Sequence, residues 1–93
     1  MTESEIRAHV LYLSEHQRRL ILLCSKKDGW TYGRLSEKLS ITLDSIKLAA
    51  RGLQDDGLAY VNHVHAPGGS GLDGSRLFLA SAGVLVRRAV AKG

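Results

Sequence analysis

The chain has 93 residues, 44% of them hydrophobic, with one proline and one cysteine, which is enough for one ordered globular domain over 1–93 and leaves little room for a second. The lone cysteine excludes an intrachain disulfide, no apolar run is long enough to span a bilayer, and five aromatic residues are too few for a base-stacking platform. The net charge of +4 favours anionic partners, and its surplus is concentrated late: residues 1–29 hold five Lys/Arg and four Asp/Glu, 30–57 four of each, and 58–93 four Lys/Arg against Asp73 alone.

The first residues, MTESEIRAH, are acidic before they are basic, unlike a signal peptide, so a cytoplasmic location is expected. Thr2-Glu3-Ser4-Glu5 and Ser14-Glu15-His16-Gln17 have the T-x-x-E and S-x-x-Q forms of capping boxes, which predicts two helices rather than one long one. The first, about 3–13, places Ile6, Val10 and Leu13 on one face. The second, about 15–26, gathers Leu20, Ile21, Leu23 and Cys24, with Lys26 and Lys27 in its last turn and Asp28-Gly29 closing it. Cys24, inside an apolar run, reads as a small buried hydrophobe.

Residues 31–56 predict a helix-turn-helix. Thr31 and Thr42 are N-cap types. The first helix buries Leu35 and Leu39, Ser40-Ile41-Thr42 makes the turn, and the second helix, 43–55, carries Ile46, Ala49, Ala50 and Leu53 at i, i+3, i+4, i+7. Gly57 after Asp55-Asp56 supplies the left-handed residue that ends it. Gly52, inside this helix, costs about 1 kcal/mol relative to Ala and reads as close packing or plain tolerance.

Residues 58–65 alternate as a strand, with Leu58, Tyr60, Asn62 and Val64 on one side, and 66–75 form a turn-rich loop. Residues 76–80 are the returning strand. Ser81 caps a last helix, 82–91, with Leu85, Val86, Ala89 and Val90 as its apolar stripe. The predicted fold is mostly α with a small β-hairpin (α+β), in the order α-α-α-α-β-β-α. A helix-turn-helix followed by a hairpin over 58–80 is a winged helix-turn-helix.

With those elements in place, Leu13-Ser14-Glu15-His16-Gln17-Arg18-Arg19-Leu20, the helix-turn-helix ending in Gly57-Leu58, and Arg76-Leu77-Phe78-Leu79-Ala80-Ser81-Ala82-Gly83 resemble the winged-helix transcriptional regulators of the MarR family. The resemblance covers about 13–90. It implies a recognition helix finishing in L-x-x-x-G-L and a second wing strand with an L-T-x-x-G-like exit. Three features differ from the family pattern. MarR-type dimers use further C-terminal helices, so a homodimer here would form through the N- and C-terminal helices, 3–13 and 82–91. The wing's D-x-R becomes Asp73-Gly74-Ser75-Arg76, one residue longer. Leu48 stands where a base-reading polar or basic side chain is usual.

The expected function is sequence-specific binding of double-stranded DNA as a small transcriptional regulator, with helix 43–55 in the major groove and the wing, 66–76, on the backbone or minor groove. Ser45, Lys47 and Arg51 are candidates for base edges, Leu48 for a thymine methyl, and Asp44 for a cytosine amine. Arg76 sits at the wing's stem, suited to a narrow minor groove. Thr31, Tyr32 and Arg34, at one helix start, are candidates for phosphate, and Thr42 stands at the other helix start. The competing reading takes Lys47 and Arg51 as a solvated i, i+4 pair. His63-x-His65 is too small a set for a metal site, Pro67-Gly68-Gly69-Ser70-Gly71 lacks the Lys-Ser/Thr of a phosphate loop, and no catalytic grouping is present. Neither an enzyme nor a cofactor is expected, and no effector is indicated.

A second hypothesis is a winged helix used as a protein-interaction module, suggested by Leu48, Leu72 and the electroneutral helix-turn-helix. A DNA binder should gather Lys47, Arg51, Arg76 and Arg34 on one face. An interaction module should instead show Asp44, Asp55 and Asp56 breaking that face, with Leu48 heading an apolar patch.

Overall fold

The computed structural model describes residues 1–63 and 75–92. Four helices, α1 (Glu3–Tyr12), α2 (Glu15–Leu23), α3 (Tyr32–Leu39) and α4 (Leu43–Asp55), precede strands β1 (Ala59–His63) and β2 (Ser75–Leu79) and a last helix, α5 (Ser81–Lys92). This is the predicted order, and the fold is a winged helix-turn-helix. Val64, His65 and the loop through Gly74, with Leu72, Asp73 and the wing tip, lie outside the described residues, so the His63-x-His65 motif is not tested.

Both capping boxes form. The Glu5 amide donates to Thr2 Oγ1 (3.2 Å) and the Thr2 amide to Glu5 Oε1 (3.4 Å), and this backbone donor holds the Glu5 carboxyl below its ordinary pKa. The Gln17 amide donates to Ser14 Oγ (3.1 Å) and the Ser14 amide to Gln17 Oε1 (2.9 Å). Thr31 and Thr42 cap α3 and α4, each accepting at 3.3 Å from the amide three residues on. Between these helices Ser40 takes the left-handed conformation (φ 55°) and the buried Ile41 anchors the turn. Gly57 is left-handed as expected (φ 72°): its amide bonds Gln54 O (3.0 Å) and the Leu58 amide bonds Leu53 O (2.9 Å), the Schellman pattern.

Helix α2 ends at Leu23, three residues before the expected Lys26. Cys24 is already extended, and the chain from Ser25 to Trp30 runs along the outer edge of β2. The Leu79 amide donates to Ser25 O (3.0 Å), and Trp30 and Leu77 exchange amide–carbonyl bonds of 3.1 and 2.8 Å. Satisfying this otherwise bare strand edge outweighs another helical turn. Lys26 and Lys27 therefore lie beyond the helix rather than in its last turn, and Lys26 Nζ donates to Ser81 Oγ (3.2 Å).

The hairpin is antiparallel, with Tyr60 opposite Phe78 and Asn62 opposite Arg76. Its ends differ by one residue from expectation. Leu58 precedes β1 because its amide is committed to the end of α4, so it is buried instead of sharing a side with exposed Tyr60 and Asn62. The inward residues of β1 are Ala59 and Val61. Ala80 follows β2, and its carbonyl accepts from the Val84 amide (3.1 Å). Ser81 is thus the first residue of α5 rather than its cap.

One core joins these elements: Leu20 and Ile21 from α2, Cys24 just after it, Leu35 from α3, Ile46, Ala50 and Leu53 from α4, Leu58, then Leu77 and Leu79 from β2 and Val86 from α5, all fully buried, with no buried polar side chain among the described residues. The expected stripe of α5 is half right. Val86 is buried and Val90 packs against the core, but Leu85 is 38% exposed, and Gly83 is buried in its place. A Cβ on Gly83 would run into the Leu58 carbonyl.

Two outcomes are expected of the core. Gly83→Ala should lower stability in urea by about 2–3 kcal/mol, since backbone must shift to admit the methyl. Burial pushes the Cys24 thiol from 9.0 up to about 12. Above pH 9 the unfolded chain then releases a proton that the folded chain keeps, so the wild type should lose stability between pH 9 and 12 relative to Cys24→Ala, as read by melts across that range.

Candidate nucleic-acid interface

Helix α4 is held by Ile46, Ala49, Ala50 and Leu53, which leaves the opposite face free. Asp44, Lys47, Leu48, Arg51 and Asp55 are all exposed there, at helical spacing. Leu48 stands out with 74% exposure. Among the described residues the only ion pairs are Arg7–Glu3 and Arg19–Glu15, so Lys47 and Arg51 extend into solvent, and the face carries two charges of each sign.

The remaining expected residues divide by occupation. The Thr42 hydroxyl donates to Ser45 Oγ (2.9 Å) and accepts from the Ser45 amide, so both hydroxyls serve the cap of α4. Thr31 does the same for α3. The Tyr32 hydroxyl accepts from Gln54 Nε2 (3.4 Å) and ties α3 to α4. Arg34 lies over the Trp30 ring, 5.7 Å from its centroid. Arg76 is exposed on β2, one residue before the buried Leu77.

Of the four cations expected on one face, two share a cleft. Arg34 and Arg76 line a common cleft of about 610 Å³ with Lys27, Arg87, Trp30 and Phe78, whereas Lys47 and Arg51 are not among its lining residues. The late basic surplus was visible in the sequence. That Arg87 would meet Lys27 and Arg34, from the other end of the chain, was not.

Leu48 borders a second groove, about 440 Å³, with Ser14, His16, Gln17 and Gly52. Gly52 is explained by close packing: the Gln17 amide lies directly over it while bonding Ala49 O at 3.5 Å. Gln17 therefore both caps α2 and fixes the back of α4. Among the described residues no three His, Cys, Asp or Glu side chains gather as for a metal, and no helix is long and apolar enough to cross a membrane.

No protein-family model matches the chain, and no curated protein matches it. Solved structures do. A MarR-family transcriptional regulator from Silicibacter pomeroyi is 25% identical, with 96% of this chain and 58% of that chain covered and a TM-score of 0.73. A mutant of ZitR from Lactococcus lactis is 19% identical over 88% of this chain and 53% of that one, TM-score 0.73. FabT from Streptococcus pneumoniae, solved in complex with DNA, is 18% identical over 87% and 54%, TM-score 0.71. The chain spans a little over half the length of these proteins. It has the winged-helix fold of MarR-family regulators.

Proposed function

We propose that the chain binds duplex DNA sequence-specifically as a small transcriptional regulator in the cytoplasm. The observation that carries this reading is α4, pinned along one face by the core and presenting Lys47, Leu48 and Arg51 outward, in a fold shared with a regulator solved on DNA. Lys47 and Arg51 would donate to guanine acceptors, Leu48 would contact a thymine methyl, and Asp44 would accept from a cytosine amine. With no net charge on this face, phosphate attraction would fall to Arg34 and Arg76, aided by the backbone amides of Thr31 and Tyr32 at the start of α3. Ser45 and Thr42 would act through their cap, by fixing the start of α4, more than by direct readout.

A homodimer through α1 and α5 completes the proposal. The two helices pack on each other within the chain, yet α1 buries no residue fully. Leu11, Tyr12 and Leu85 remain 78%, 87% and 38% exposed, apolar surface that a second copy would cover. Two copies would present two recognition helices to half-sites about one helical turn apart.

One observation favours a second reading. Exposed Leu48 beside the groove of His16 and Gln17, on a face where Asp44 and Asp55 offset the cations, also suits a protein-interaction module.

Fluorescence anisotropy against salt decides between them. On a selected site, Arg51→Ala and Lys47→Ala should each weaken binding about tenfold or more, with little effect on mixed-sequence duplex. Arg76→Ala should weaken both and reduce the salt slope by about 1. No binding at low salt would select the interaction module. Light scattering should give twice the chain mass, and a monomer would remove the dimer while leaving the DNA reading intact.

A further inference from the structure

Four of the chain's thirteen Lys and Arg residues line one concave place. Lys27 from the α2–α3 connection, Arg34 from α3, Arg76 from β2 and Arg87 from α5 line the same cleft, with Asp28 as the one acid there. None of the four cations takes part in an ion pair among the described residues. Four cations brought together by four separate segments repel one another, and an anion bound among them would remove that cost.

The walls are built rather than incidental. Phe78 is held between Gly29, whose missing side chain admits the ring, and Tyr60, stacked at 5.6 Å and 14°. Trp30 is fixed by its backbone exchange with Leu77 and carries Arg34 over its ring. Three guanidinium forks and an ammonium approaching from several sides suit a tetrahedral, multiply charged oxyanion better than a planar monocarboxylate, which one fork satisfies. The volume, about 610 Å³, is within the range of small-ligand sites and leaves room for an organic group on the anion.

We propose that this cleft, formed by Lys27, Arg34, Arg76 and Arg87 against Trp30 and Phe78, binds phosphate or a phosphate ester. The site stands independently of the duplex reading, although the two share Arg34 and Arg76. The same chemistry can come from a free phosphate-bearing molecule or from a backbone phosphate, and the experiment separates these sources.

Trp30 is the single tryptophan of the chain, so its emission reports on this cleft. Titration of the full chain with pyrophosphate at constant ionic strength should give a saturable change. Arg87→Gln and Lys27→Gln should each weaken it about tenfold or more, as for loss of a charge-assisted hydrogen bond. Arg87→Lys should retain part of the affinity. Arg88→Gln, with the same change in charge on the same helix but outside the cleft, should leave it unchanged. Far-UV CD melts identify any variant that fails to fold, and Lys27→Gln, in an exposed connection, tests the site without touching the core. A response that does not saturate, that chloride reproduces, or that Arg88→Gln weakens as much would overturn the proposal. With duplex DNA as the second arm, unchanged binding by Arg87→Gln would identify a free small molecule as the natural anion. A parallel loss, with pyrophosphate displacing duplex, would identify the backbone phosphate.

Discussion

The fold turns on the backbone of Leu58. Its amide closes the Schellman end of α4 by bonding Leu53 O at 2.9 Å, its carbonyl accepts from the Ala80 amide at 3.0 Å, and its side chain is fully buried. The same carbonyl receives the bare Cα of Gly83 from α5. One residue thereby sets where α4 stops, where the hairpin begins and how closely the last helix approaches. A strand and two helices cannot be moved independently when they share a residue whose donor and acceptor are both committed. The direction of α4, and with it the surface that α4 offers, follows from this junction.

A second consequence of close packing is the separation of charge. The interior contains no buried polar side chain among the described residues, so every charge is displaced to the surface and its position is decided by which element carries it. On α4, helical periodicity places Asp44 and Asp55 on the same face as Lys47 and Arg51, and the face is neutral. On the side formed by β2, α5 and the connection before α3, every charged residue except Asp28 is basic. A partner sensitive to charge would therefore be drawn to the wing side, while α4 would discriminate by contact. That division matches the general split between phosphate attraction and base-edge reading, on which the proposed duplex binding rests.

The three most exposed large apolar side chains among the described residues, Leu11, Tyr12 and Leu48, lie in two places. Leu48 stands beside the groove under α2, and Leu11, Tyr12 and Leu85 lie on the pair formed by α1 and α5. Both lie outside the core for the same reason. Each helix turns one stripe inward, and a residue at the wrong angle stays out however apolar it is. Leu85 shows this directly: its neighbour Val86 takes the interior position, and Gly83, with no side chain, takes the place nearest Leu58.

Local chemistry in the sequence determined the helices, the caps at Thr2, Ser14, Thr31 and Thr42, and the left-handed Gly57. Capping boxes, N-cap threonines and a buried face at i, i+3, i+4, i+7 depend on residues within one or two turns of each other, so they are written in contiguous stretches. The order of elements, the winged helix-turn-helix and the outward set on α4 followed from them. Only the tertiary structure decided the rest. Whether residues after Leu23 would continue the helix or leave it depended on an edge of β2 more than fifty residues on, at Leu77 and Leu79. The reason for Gly52 depended on Gln17, and the reason for Gly83 on Leu58. The cleft of Lys27, Arg34, Arg76 and Arg87 exists because the core folds the connection before α3 against the wing. Such pairings are set by long-range packing and hydrogen bonding, which leave no periodic trace in the chain that makes them.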